Sequence, residues 1–152
     1  MNLSWLSIIR LGVVQMSLGA VVVLMTATLN RLMVVELALP AVLPGVLVGL
    51  HYGIQITRPN WGLRSDMGGR RTPWIISGMA ILGIGGVLAA ISIPILDNNF
   101  LLGMLTSLIA YILIGLGVGA SGTSLLALLA TSTKPRRRAA AATITWLMMI
   151  AG

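Results

Sequence analysis

The chain has 152 residues, of which 57% are hydrophobic and 9% charged, with a formal net charge of +7. At a mean hydropathy of +1.01 that composition excludes an ordinary soluble domain and points to an all-α protein that crosses a membrane several times. The absence of cysteine excludes disulfides and thiolate metal sites. The basic residues flank apolar runs instead of lining one face, which argues against nucleic acid as a partner.

Residues 1–10 read as a cytoplasmic or interfacial amino terminus. Trp5 suits the membrane–water boundary, and the segment is either a short interfacial helix or a frayed end with an anchor. It has neither the basic start nor the small-residue cleavage site of a signal peptide. Residues 11–29 form the first expected span, an uncharged run close to the ~20 residues that cross a hydrocarbon core. Gly12, Gln15, Gly19, Thr26 and Asn30 recur on one face, either for packing against protein or to line a substrate path.

Asn30 to Ala38, with Arg31 and Glu36, is expected as a loop, followed by a second span over 39–57. Pro40 and Pro44 fall near its start, where proline is tolerated. Gly45, Gly49 and Gly53 make a small-residue stripe suited to close helix packing. His51, Gln55 and Arg58 occupy another face, toward the end of the span.

A glycine-rich basic connector follows from Trp61 to Trp74. Gly62, Gly68 and Gly69 allow a tight reversal, Asp66 can pair with nearby arginines or cap a helix, and Pro73 suits a first helical turn. The third span is expected over 74–96, a polar turn over Asp97–Phe100, and a fourth, overlong span over 101–129 that tilts or projects beyond the bilayer. Within it the G-x-G-x-x-G from Gly117 to Gly122 has no surrounding βαβ unit, so Gly115 and Gly119 read as packing positions and not as part of a dinucleotide site.

A second basic connector spans Thr131–Arg138, and an apolar run over 139–152 begins a fifth span. At ~1.5 Å per residue that run falls short of a ~30 Å core, so the sequence reads as a fragment of a longer protein. Counting Lys and Arg places Arg10, Arg58, Arg64, Arg70, Arg71, Lys134, Arg136, Arg137 and Arg138 on one side and Arg31 on the other. The positive-inside rule makes the first side, with the amino terminus, cytoplasmic. The same basic loops are suited to anionic lipid heads or an acidic partner.

No catalytic constellation is visible. One histidine and three acids, Glu36, Asp66 and Asp97, all at span ends or in loops, do not make a paired-carboxylate or Ser–His–Asp site, so the chain reads as non-enzymatic. The expected spans hold no mid-membrane acid or lysine, which weakens a proton-coupled antiporter reading. His51 is the one side chain able to ligate the magnesium of a chlorophyll, with Gln55 one turn away. The plainer reading is a packing histidine with one interhelical hydrogen bond.

The pattern Gly62–x3–Asp66–x2–Gly69–Arg70–Arg71 between two spans resembles the loop between helices two and three of the major facilitator superfamily, a conformational latch. With N-R-L-M-V-V-E-L from Asn30, H-Y-G-I-Q-I-T-R-P from His51 and S-D-M-G-G-R-R-T-P-W-I from Ser65, the sequence is similar to the PucC/LhaA, or bacteriochlorophyll delivery, family. That resemblance implies the amino-terminal part of a twelve-helix, facilitator-like bundle, here four full spans and the start of a fifth. It implies an assembly factor for light-harvesting complexes in the photosynthetic, intracytoplasmic inner membrane, one that delivers bacteriochlorophyll or chaperones antenna polypeptides. The implied partners are antenna polypeptides, the reaction centre, and pigment-synthesis and membrane-insertion proteins, with bacteriochlorophyll as cofactor. A secondary transporter of small molecules and a structural subunit of a photosynthetic supercomplex are the alternatives.

Overall fold

The computed structural model describes residues 2–152, so Met1 of the expected amino-terminal segment lies outside the described residues. These residues build six α-helices and no strand: α1 Trp5–Val23, α2 Val42–Ile54, α3 Arg58–Met67, α4 Thr72–Asn98, α5 Phe100–Ser132 and α6 Arg138–Ala151.

The first helix starts where Ser4 caps it, its hydroxyl accepting the Ser7 N–H at 3.2 Å. It does not stop at the expected Asn30. It runs on through two wide π-helical stretches, Leu24–Leu29 and Leu32–Glu36, as one rod from Trp5 to Glu36. The expected loop over Asn30–Ala38 is therefore mostly helix. Charges at Arg31 and Glu36 mark where apolar surroundings end, and a helix can continue past that boundary. It ends at Ala38, whose φ of 53° lies in the left-handed region. Two closing bonds, Leu37 N–H to Leu32 C=O at 3.0 Å and Leu39 N–H to Met33 C=O at 2.9 Å, cap the carbonyls there. Pro40 follows and cannot continue the helix.

The second expected span is built from two shorter helices. α2 has 13 residues, ~20 Å at 1.5 Å per residue, and gives way to a tighter turn at Gln55–Thr57 before α3. Pro59 explains the break, since it cannot donate a backbone bond and fits only the first turn of a new helix. The connector is correspondingly shorter than expected. Trp61–Met67 is helical, and the reversal is confined to Gly68–Arg71. Three continuous helices, Trp5–Glu36, Thr72–Asn98 and Phe100–Ser132, are each long and apolar enough to cross a membrane. The chain is a multi-pass, all-α membrane protein.

α4 and α5 form a long antiparallel hairpin. The expected four-residue turn between them contracts to Asn99, whose backbone is extended and whose side chain accepts the Leu102 N–H at 3.3 Å. Glycines set how closely the two helices approach. A Cβ at Gly78 would sit 2.6 Å from the Ser121 nitrogen, one at Gly85 2.9 Å from the Ile114 nitrogen, and one at Gly117 2.7 Å from the Gly78 carbonyl oxygen. The interior between α1, α2, α4 and α5 is filled by Met25, Met33, Leu47, Leu82, Tyr111 and Ile114, all essentially inaccessible. Tyr111 donates its hydroxyl to the Met25 carbonyl within the first π-helical stretch, at 3.5 Å. Buried Ser92 and Ser107 donate to carbonyls of their own helices, which satisfies them without water. The outer surface is apolar in the converse sense: Val46, Ile84, Val87 and Leu101 are all exposed.

α6 crosses α1 at Gly12 and Gly19, which lie directly against Met148 and Met149. The start of α1 meets the end of α5 through a bond from Leu3 N–H to Ser132 C=O at 2.7 Å. The amino terminus and the second basic connector therefore share one end of the bundle.

Gly78→Ala and Gly117→Ala are expected to lower stability in detergent by about 1–3 kcal/mol each, because neither backbone can retreat from the added methyl. Gly83→Ala, where a Cβ meets nothing within 4 Å, is expected to change it by less than about 0.5 kcal/mol. Thermal unfolding of the three variants, followed by circular dichroism, checks the ranking.

Candidate functional site

A cavity of about 720 Å³ opens between α1, α2, α5 and α6. Its volume falls in the range of small-molecule sites. α1 contributes Gln15, Leu18 and Val22, α5 contributes Val118 and Leu126, and α6 contributes Trp146 and Met149. The end of α2 and the turn after it contribute His51, Gln55 and Arg58. The lining is apolar except for these three, Gln15 and Tyr52.

The three residues form a chain of contacts along one helix face. Arg58 donates from Nε to the Gln55 side-chain oxygen Oε1 at 2.5 Å, which turns the side-chain amide nitrogen of Gln55 toward the His51 ring. That nitrogen lies 3.5 Å from His51 Nε2, at the long limit of a hydrogen bond. Gln55 is thus held firmly from the arginine side and holds the histidine lightly. With Nε2 as acceptor, the ring proton sits on Nδ1. His51 is 1% exposed, and its Nδ1 has no partner in the protein. Gln15, 3% exposed, is in the same position: its amide nitrogen reaches Met149 Sδ at 3.9 Å and its carbonyl oxygen has no partner. Two residues that line the cavity therefore each carry a buried polar atom without a partner, a ring N–H on His51 and a side-chain carbonyl oxygen on Gln15. Leaving such groups unmade in an apolar setting costs about 1–3 kcal/mol each, so a ligand with matching groups gains from meeting them.

His51 and Gln55, the expected pigment-binding pair, thus lie together in this cavity. The residues that reading the sequence missed are on α6. Trp146 and Met149 belong to the run expected only as the start of a fifth span, and its packing on Gly12 and Gly19 makes it a wall.

The expected packing glycines separate into two groups. A Cβ on Gly115 would lie 3.0 Å from the His51 carbonyl oxygen, and one on Gly119 3.3 Å from the Trp61 ring. α5 therefore meets α2 and α3 at these two positions, and Gly115 sits behind the histidine turn. Gly45, Gly49 and Gly53 meet nothing within 4 Å. Within this chain they are not a packing stripe, because α2 turns its opposite face, with Leu47 and His51, to the bundle.

In the connector, Asp66 forms an ion pair with Arg71. Arg71 also donates to Ser65 Oγ at 3.3 Å, and Ser65 donates to the Gly62 carbonyl at 2.9 Å. Gly69 carries the reversal at φ 72°. Trp61 and Trp74 stack obliquely across the turn, ring centroids 6.0 Å apart. Arg70 is exposed and lies outside this set of contacts. Of the expected latch residues, Gly62, Asp66 and Arg71 are thereby tied, through Ser65, into a compact hairpin head that reverses at Gly69, and Arg70 is not part of it.

A model of the PUCC protein family matches residues 28–152, which take in α2, α5 and α6 of the cavity and the connector but not α1. The chain belongs to the PUCC protein family. It is 66% identical to the "Bacteriochlorophyll synthase 44.5 kDa chain" of Rhodobacter capsulatus, over all of this chain and 36% of that protein. It is 33% identical to Protein PucC of Cereibacter sphaeroides, over 85% of this chain and 30% of that protein. It is 32% identical to Protein PucC of Rhodovulum sulfidophilum, over 85% of this chain and 31% of that protein. The chain spans about a third of the length of these curated relatives. No solved structure matches it.

In this PUCC-family chain the hairpin head gives a clear contrast. Asp66→Asn removes an ion pair whose carboxylate is 56% exposed, and the expected cost is below about 1 kcal/mol. Gly69→Ala forces a side chain into the left-handed region, at roughly 1–2 kcal/mol. The expected order of melting temperature in detergent is wild type, then Asp66→Asn, then Gly69→Ala. A larger loss for Asp66→Asn would make the ion pair, and not the backbone reversal, the element that holds the head.

Proposed function

We propose that this chain serves the assembly of bacterial light-harvesting complexes, by holding bacteriochlorophyll for transfer to antenna polypeptides as they enter the membrane. The observation that carries the reading is the cavity: apolar, of small-molecule size, and furnished with a buried, lightly held histidine. Family membership and a relative whose printed name refers to bacteriochlorophyll synthase support the same direction.

The residues present suit such a pigment. A chlorin supplies a central magnesium and peripheral carbonyls. Leu18, Val22, Val118, Leu126 and Trp146 would cover its apolar faces, and His51 would supply the polar contact. The Arg58–Gln55–His51 chain leaves the Nδ1 proton directed away from Gln55, which favours donation to a pigment carbonyl. Ligation of magnesium would use a ring nitrogen lone pair, and Nε2 is the one Gln55 engages. The proposed role is non-enzymatic: binding, orientation and exclusion of water. Antenna polypeptides, the reaction centre, and pigment-synthesis and insertion proteins are the proposed partners. The proposed setting is the photosynthetic inner membrane, with the amino terminus and both basic connectors in the cytoplasm. A facilitator-like arrangement of two halves is part of the same proposal.

Small-molecule transport is the second reading, and what favours it is the paired Asp66–Arg71 head at a span junction. Uptake of a defined solute into vesicles, abolished by Asp66→Asn, would support it over pigment handling.

The protein purified from a phototrophic host in mild detergent is expected to carry a tetrapyrrole absorption band. His51→Leu is expected to insert normally and lose most of that band, because a polar anchor in an apolar site contributes about 1–3 kcal/mol, or roughly 5- to 150-fold in affinity. Resonance Raman spectra of the bound pigment then separate the two roles of His51, through a lowered carbonyl stretch or a histidine-ligated magnesium. Preparations free of pigment and of antenna polypeptides, or an unchanged band in His51→Leu, would count against the proposal.

A further inference from the structure

A second cavity, of about 540 Å³, lies at the end of the bundle where α1 begins and α6 begins. It is lined by Trp5, Lys134, Arg136, Arg137 and Ala140. Three cations and no acid face it. The one ion pair among the described residues is Asp66–Arg71, so no carboxylate neutralises this group. The Arg137 guanidinium stands over the Trp5 ring, 5.0 Å from its centroid. A ring face orients an arginine without cancelling its charge, so Arg137 is positioned in advance and still has its donors available. The start of α6 adds the partial positive charge of a helix amino terminus.

We propose that this cavity binds the phosphate group of an anionic phospholipid. Phosphate chemistry follows from the cations, since planar arginine and point-charge lysine donors suit its oxygens. The lipid source follows from the surroundings. Trp5 is an interfacial residue by type, and Leu6, the next residue, and Ile9, one turn along α1, are exposed apolar side chains. A phosphate in the cavity would have apolar helix surface beside it for its acyl chains. The cavity also belongs to the end of the bundle at which the amino terminus and the second basic connector meet. Bound lipid would clamp α1 to α6, two of the four helices that wall the larger cavity, from below. This proposal stands apart from the pigment reading and survives its failure.

The test uses the full chain, purified in mild detergent, with bound lipid counted by native mass spectrometry. Phosphatidylglycerol, phosphatidylcholine and inorganic phosphate are offered in turn. Wild type is expected to retain phosphatidylglycerol in preference to phosphatidylcholine. Each cation that lines the cavity is expected to contribute roughly fivefold, the scale of one basic residue against an anionic lipid, so Lys134→Gln/Arg136→Gln/Arg137→Gln is expected to weaken retention on the order of a hundredfold. Arg137→Gln alone is expected to weaken it about fivefold, with an unchanged circular dichroism spectrum. Arg138→Gln, at the same end but outside the cavity lining, is expected to retain the lipid. Equal retention of the two lipids, or an Arg138→Gln loss equal to that of Arg137→Gln, would overturn the proposal. Displacement of phosphatidylglycerol by equimolar inorganic phosphate would overturn the lipid source and leave a free-anion site.

Discussion

Helices surrounded by lipid gain little from hiding apolar surface, because the solvent is as apolar as they are. What draws them together is close backbone approach, and here that approach is concentrated in the α4–α5 hairpin. Gly78, Gly85 and Gly117 let two helices of 27 and 33 residues meet at distances that a single methyl would prevent. α2 and α3 rest on α5 through Gly115, Gly119 and Gly62. The first rod reaches the pair where Tyr111 donates to the Met25 carbonyl, and α6 packs on α1 and meets the end of α5 where Ala141 lies against Leu129.

The cavity is a consequence of how the second membrane-crossing segment is broken. A continuous helix through Pro59 would leave an unpaired carbonyl in an apolar setting. The chain instead tightens at Gln55–Thr57 and restarts at Arg58. That tightening brings Arg58, Gln55 and His51 into line, and it lets a half-buried guanidinium organise a fully buried imidazole. An arginine near a span end can keep its charge close to the boundary while its stem lies along apolar surface. The same break that shortens α2 therefore supplies the polar wall of the site.

The opposite surface of α2 is as informative. Gly45, Gly49 and Gly53 point away from the bundle, beside exposed Val42 and Val46. The curated relatives are about three times as long as this chain. The stripe is open on the side that faces away from all six helices described here, whereas the stripes on α4 and α5 are closed by each other.

Much of this was legible in the residues. Apolar runs gave the all-α membrane class and the approximate places of the spans, because lipid requires long apolar helices whatever their neighbours are. The grouping of Arg10, the connector arginines and the Lys134 cluster apart from Arg31 followed from charge alone. The motif from Ser65 to Ile75 carried the family resemblance, and His51 with Gln55 could be marked because a polar pair within a span stands out against its surroundings. Tertiary structure decided the rest. Helix ends depend on caps and backbone angles, so the first rod ran past Arg31 to Glu36 and the Asp97–Phe100 turn shrank to Asn99. Which glycines pack is a property of the partner surface: Gly115 closed on His51 while Gly45 stayed open, although both sit in the same kind of small-residue spacing. The cavity has the same origin, since its walls come from four helices far apart in sequence, and only their crossing angles bring Gln15, His51 and Met149 around one space.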